Sequence, residues 1–269
     1  MKGYTAITRW TLWQRRWSSL WWIIGIVGFM VLILAFYPPF RDQAVKLDQT
    51  INKQIPSSAR AFISDTPNYF SPVGYLSSQI YYLVLPILLS ILSIGAGSSL
   101  IAKEESTGTI ELLLARPLSR AKLLAGKFSA GGLILTAVSL FAFISALIMA
   151  HIVNLPVGTL PLFITTLDCL VMAAAFGSIA FMITTIKKAR RASIGLAVLI
   201  ALGGYIINSL ASTASALKWP ARFMPFHYYH ASDMLKGHYR WEDFAVMGGI
   251  IAACLIISWV SFRRRDIIV

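Results

Sequence analysis

Six stretches of this 269-residue chain are apolar almost without interruption: residues 20–37, 80–102, 128–152, 160–186, 194–217 and 244–262. Crossing a bilayer takes about 20 such residues at 1.5 Å each. One run of this kind fits a signal or an anchor; six require a chain threaded through lipid. Lipid offers the backbone no hydrogen-bond partner, so spans of this length must be helices. The expectation is an all-α polytopic membrane protein with six transmembrane helices, forming a single transmembrane domain over residues 1–269. Composition agrees. The chain is 57% hydrophobic and 13% charged, with a mean hydropathy of +0.69, whereas a soluble domain carries about 25% charged residues. A soluble enzyme is excluded.

The net charge of +13 could point to nucleic acid, but it is not gathered on one solvated face as nucleic-acid binders require. Sixteen of the 24 basic residues fall in alternate connections: Lys2, Arg9, Arg15 and Arg16; Lys103, Arg116, Arg120, Lys122 and Lys127; Lys187, Lys188, Arg190 and Arg191; and Arg263 to Arg265. The other connections hold eight, diluted by Asp42, Asp48, Asp65, Asp233, Glu242 and Asp243. By the positive-inside rule both termini are expected in the cytoplasm, which requires an even number of spans.

The first span has a basic start, but its apolar core is too long for a cleaved signal and ends in Phe36-Tyr37-Pro38-Pro39, without small residues. The expectation is an uncleaved anchor. Ahead of it, Trp10, Trp13, Trp17 and Trp21 share one helical face with Arg9, Arg15 and Arg16 off it. This pattern predicts an N-terminal interfacial elbow helix, indoles at headgroup depth. In the outer loop, residues 38–79, Ala44, Leu47, Ile51 and Ile55 predict an amphipathic surface helix that Pro56 ends. The stretches around Pro67 and Ser71-Pro72 read as turns.

The most informative connection is the one between spans two and three, residues 103–122. Gly108 can cap a helix whose first turn holds Glu111, where the helix dipole favours an acid. An apolar run including Leu113 and Leu114 follows, and Pro117 stops the helix. Ser119 can cap the next helix, which enters span three. The result is a short stopped helix parallel to the membrane, a form suited to docking a cytoplasmic partner.

Here the chain resembles the ABC-2 type permeases, membrane subunits of one class of ATP-binding-cassette transporters. Their pattern falls on Glu104 or Glu105, Gly108-Thr109, Glu111, Leu113-Leu114, Pro117, Ser119-Arg120 and Gly126-Lys127. Ser71 to Tyr75, Pro225 to Tyr229 and Leu235-Lys236-Gly237 also resemble the family. The resemblance implies that Glu104 to Arg120 form a cytoplasmic coupling helix set into an ATPase subunit. It further implies that residues 221–240 form short helices, re-entrant or not, at the outer mouth, and that two permease subunits, identical or related, form the path.

No P-loop of the form G-x-x-x-x-G-K-[ST] occurs: Gly126-Lys127 is followed by Phe128, and Ala121 stands where the first glycine belongs. Any ATP hydrolysis is expected in a separate subunit, with ATP and Mg bound there and no cofactor in this chain. His227, His230 and His238 near Asp233 have the residue types of a zinc site, but the aromatic residues around them favour an interfacial belt, and no metal is expected. Cys169 and Cys254 lie in apolar runs without CxxC spacing.

Asp168 is the one acid inside a span, a functional candidate by default. It either lines a pathway or interface, or is neutralised by hydroxyls such as Thr165 or Ser178. Gly95 and Gly97, with Gly203-Gly204, permit close helix approach at a pathway, a dimer face or inside one subunit. The reading is a permease subunit of an ABC exporter in a prokaryotic plasma membrane, its substrate unread. An ion-driven secondary transporter or a membrane-embedded enzyme is the alternative; inverted repeats and further ionisable residues in the spans would mark the secondary transporter, and neither is found.

Overall fold

A computed structural model describes residues 2–60, 62, 64–66, 68–100, 120–187, 190–211 and 214–264. Among these there is no strand, and helix accounts for 86%. Six helical stretches are long and apolar enough to cross a membrane: α1 (Lys2–Ala35), α2 (Val84–Ser99, led in by a shorter helix from Pro72), α3 (Arg120–Ile152), α4 (Thr159–Lys187), α5 (Arg190–Ala211) and α6 (Trp241–Arg264). The all-α polytopic expectation is met.

Because the spans alternate in direction, the connections 36–71, 153–158 and 212–240 gather at one end of the bundle, here the loop end. The starts of α1, α3 and α5 and the ends of α2, α4 and α6 lie at the other, the terminal end. The proposed coupling helix falls in 101–119, outside the described residues. So do the residues assigned to it from Glu104 to Pro117, and the side chain of Arg120.

The central helix is α4, which packs against α2, α3, α5 and α6. Its position follows from its side chains. Ala173, Ala175 and Ala180 are fully buried and small enough for neighbouring helices to close in, while Leu162, Met172 and Phe176 fill the space between them. The main cluster adds Ile26, Met30 and Leu34 from α1, Leu85 and Leu89 from α2, and Val138, Ala142 and Ala146 from α3. A second cluster at the terminal end joins Ile7, Leu123, Phe181 and Phe262.

Several hydroxyls within the helices are satisfied locally. Thr165 donates to the Pro161 carbonyl at 2.7 Å, Ser178 to Ala175 at 2.8 Å, and Thr184 to Ala180 at 2.8 Å. Such back-bonding to the preceding turn lets a hydroxyl enter an apolar layer without an unpaired donor.

The N-terminal segment differs from expectation. No break separates an interfacial helix from the first span; Lys2–Ala35 is one helix of 34 residues, about 51 Å long at 1.5 Å per residue. The physical reason is that Ser18-Ser19 is the only candidate joint, and serine does not stop a helix as proline does. The indole face itself is present. Trp10, Trp13, Trp17 and Trp21 are all exposed, Trp10 and Trp13 stack, and the Arg16 guanidinium lies 4.0 Å from the Trp13 ring centroid. The inner face of this segment rests on α3: Tyr4 donates to Ser129 at 2.6 Å and Thr8 to the Gly126 carbonyl at 3.2 Å. Arg15 reaches the Ser99 hydroxyl of α2.

The surface helix is Ala44–Gln54, with Ile55 extended just before Pro56. Its apolar face, Ala44, Leu47 and Ile51, is half-buried. Ser71-Pro72 is not only a turn. Ser71 caps the short helix Pro72–Leu76, accepting from the Gly74 N–H at 3.1 Å and donating to the Asn68 carbonyl at 2.9 Å. A Cβ on Gly74 would stand 1.5 Å from that Asn68 oxygen, so the turn admits only glycine. A π turn, Ser77–Tyr81, then leads into α2.

Candidate loop-end site

The last connection is a set of short pieces: a 3-10 turn Ser215–Leu217, a helix Lys218–Ala221, a second 3-10 turn Pro225–Tyr228 and a helix Ala231–Leu235. Proline at 220 and 225 keeps each short. They do not lie outside the bundle. Phe226 is 5% exposed, with its ring 5.5 Å from Phe176 of α4 and 5.6 Å from Tyr205 of α5. The Ala231–Leu235 helix packs on α4 as well, so residues 225–235 are inserted among the spans.

Three attachments hold this insert. Tyr229 donates to the Tyr81 carbonyl at 2.5 Å. Tyr81 in turn bonds the Thr166 hydroxyl at 2.9 Å, and Thr166 donates to the Leu162 carbonyl at 2.8 Å. Asp65 accepts from the Ser77 hydroxyl at 2.7 Å and from the Ser232 N–H at 2.8 Å, tying the 36–71 connection, the π turn and the insert through one carboxylate. Asp243, in the first turn of α6, lies 3.1 Å from the Arg240 Nε and 3.4 Å from the His230 Nδ1. Its side chain is only 4% exposed.

Asp168 sits nine residues into α4, about 13 Å along the axis from Thr159. It is fully buried, and neither carboxylate oxygen has a hydrogen-bond partner. Thr165 and Ser178, expected as alternatives to neutralise it, are committed to their own helix. Its carboxylate is instead within electrostatic reach of Asp243 and of the His230 backbone N–H. The structure therefore brings the intramembrane acid to the backbone of His230 and to Asp243, which lie 62 and 75 residues further along the sequence.

The histidines do not form a ligand set. His227 belongs to the 3-10 turn and stands edge-on to Tyr228, whereas His230 precedes the next helix, so the two share no helical face. Among the described residues no group of three or more His, Cys, Asp or Glu could hold a metal ion. Burial above all, with the neighbouring His230, holds the His227 imidazole below its usual 6.5.

The two glycines named with Asp168 lie toward the opposite end and differ from each other. Gly97 is at the crossing of α2 and α4: a Cβ there would stand 2.2 Å from the Gly177 carbonyl oxygen, and one on Gly177 would stand 2.0 Å from the Ser93 hydroxyl. Within this chain it serves helix approach. The gap beside the crossing is about 40 Å³, room for a water and not for cargo. A Cβ on Gly95 meets nothing within 4 Å.

Asp65, Asp243, Tyr81 and Tyr229 carry the loop-end attachments, and sequence reasoning passed over them. Arg240 and Asp243 at i, i+3 around a helix start were the available signal.

No curated protein matches the chain. A family model described as "ABC-2 family transporter protein" matches residues 13–267, from the middle of the indole face to beyond α6. The chain belongs to the ABC-2 transporter family and is a membrane subunit of an ATP-binding-cassette transporter.

Proposed function

We propose that the chain is the path-forming subunit of an ABC exporter in a prokaryotic plasma membrane, with both termini cytoplasmic. The family match over nearly the whole chain, together with six long apolar helices, supports this reading. Two copies, or this chain and a related one, form the path, and two cytoplasmic ATPases drive it. The segment Glu104 to Arg120 is the contact through which ATPase closure reaches the spans. Glu104, Glu105 and Glu111 offer charge to the ATPase surface, Gly108-Thr109 opens the helix, Leu113-Leu114 give it an apolar face, and Pro117 ends it. The path alternates between inward- and outward-facing states, and the loop-end insert is its outer closure.

The test is co-purification from the native membrane. Recovery of a P-loop ATPase, lost when Glu104, Glu105 and Glu111 are changed together to Ala, is the expected result. A chain that purifies without any ATPase, and drives uptake or efflux on an ion gradient alone, overturns the proposal.

A further inference from the structure

The insert at the loop end is closed over a carboxylate that has no partner. Asp168 is fully buried with both oxygens unbonded, and a second buried carboxylate, Asp243, lies within its electrostatic reach. The charge census around it is short. From α6 and the residues before it come Asp243 and Arg240, and that guanidinium is committed to Asp243 and to the exposed Glu242. From the insert come His227, Tyr229 and His230, and the His230 imidazole is turned to Asp243. From the π turn before α2 comes Tyr81, hydrogen-bonded to Thr166. Cys169 is next along α4 itself, under Tyr229. Along α5 no charged residue follows Arg191, and α3 beyond Lys127 carries only His151, which is exposed. Asp65 is satisfied by Ser77 and Ser232.

An ionised carboxylate in such a place would lack a counter-ion, and the His230 backbone N–H lies within electrostatic reach without closing a hydrogen bond, a cost of several kcal/mol. Two like charges sharing a buried site cannot both stay ionised without a compensating cation. The one guanidinium at hand is already opposite Asp243.

We propose that Asp168 is a proton-binding site that latches the 225–235 insert: in the closed arrangement it carries a proton, and its loss drives the insert away from α4. The reasoning stands on the positions of Asp168, Asp243 and His230 and holds whether or not the chain exports. In the transporter reading it makes closure of the outer mouth dependent on proton uptake from that side. The sign is fixed by the closed state, which binds one proton more than the open state. Closure is therefore favoured at low pH and weakened as pH rises through the titration of the site.

Cys169 supplies a reporter already in place, since it is fully buried beneath the insert. In a Cys254→Ala background it is the only thiol in the chain. Its modification by a small neutral maleimide is followed in nanodiscs from about pH 6 to about pH 9, with Asp168→Asn in the same background as the baseline for thiol ionisation. The expected result is that wild type at high pH exceeds that baseline about tenfold, and that the two coincide at low pH. Asp243→Asn removes the neighbouring like charge and moves the excess to lower pH. Infrared difference spectra of the unmutated protein provide a reading that needs no variant: a protonated carboxyl band is lost as pH rises. Superimposable Cys169 profiles for wild type and Asp168→Asn overturn the latch. An infrared signature of ionised carboxylate alone across the whole range overturns the proton site and indicates a bound cation instead.

Discussion

The Tyr229 hydroxyl donates to the Tyr81 carbonyl at 2.5 Å across 148 residues of sequence, pinning the last connection to the turn that opens the second span. Burial pushes the Tyr229 phenol well above its ordinary value, so it remains a donor throughout the working pH range. Tyr229→Phe keeps the ring and deletes the hydroxyl, which bonds the Tyr81 carbonyl and also reaches the Cys169 thiol. A buried carbonyl left unpaired costs roughly 1–3 kcal/mol. Thermal unfolding in detergent is expected to shift down, and Cys169 to become more reactive at every pH.

Asp65 makes two hydrogen bonds to segments that are otherwise unconnected in sequence, Ser77 and Ser232. Bonds to a charged acceptor contribute about 1.5–3 kcal/mol each. Asp65→Ala is expected to release the insert and speed limited proteolysis between residues 214 and 240, with Asp65→Asn retaining part of the protection. Equal cleavage rates for the alanine variant and wild type would remove this tie from the account.

Gly97 and Gly95 are two residues apart and predict opposite outcomes. Gly97→Leu forces α2 and α4 apart where a Cβ already meets backbone at 2.2 Å, and monodisperse protein is expected to be lost in size-exclusion chromatography. Gly95→Ala meets open space and is expected to leave the elution profile unchanged. It also gains helix propensity by up to about 1 kcal/mol.

His227 gives a pH dependence of definite sign. Its imidazole is held below its usual 6.5, mainly by burial, so the folded state favours the neutral form. The corresponding stability is complete above that usual value and is lost as pH falls through the depressed one. Unfolding temperature measured against pH should decline less steeply on the acid side for His227→Asn than for wild type. A ring-proton titration that places His227 above 6.5 contradicts this.

The tryptophans of α1 test whether its first part crosses or lies flat. Trp10 and Trp21 are eleven residues apart, about 16 Å along one unbroken axis. With single tryptophans at 10, 13, 17 or 21, quenching by lipids brominated at different chain positions should show progressively deeper indoles from Trp10 to Trp21. Equal depth for all four would show a helix lying in the membrane plane.

Much of the fold is legible in sequence because lipid simplifies the problem. Long apolar runs such as 160–186 become helices whatever they pack against, and Ala44 to Ile55 declares its amphipathic face by spacing alone. The start of the first span was not legible, since the joint expected near Leu20 depends on tertiary context and no breaker residue marks it. The loop-end site was half legible. Asp168 announces itself as an acid in a span, but its neighbours Asp243 and His230 arrive through the folding of an insert between α5 and α6. No periodicity relates residues brought together that way. The coupling residues from Glu104 to Pro117 are legible by motif and lie outside the described residues.

The unbroken α1 has a mechanical consequence. Tyr4 grips Ser129 near the start of α3, and 29 residues on, the Ile33 carbonyl accepts from Tyr75 at 2.8 Å, at the loop end. A rod held at both ends by different neighbours acts as a lever arm. A tilt of about 10° about one end of its 51 Å length swings the other by roughly 9 Å. Whatever pulls on the chain just ahead of Arg120 moves α3, and α3 carries the near grip of that lever. Displacement on one side of the membrane then reappears on the other without any helix having to bend.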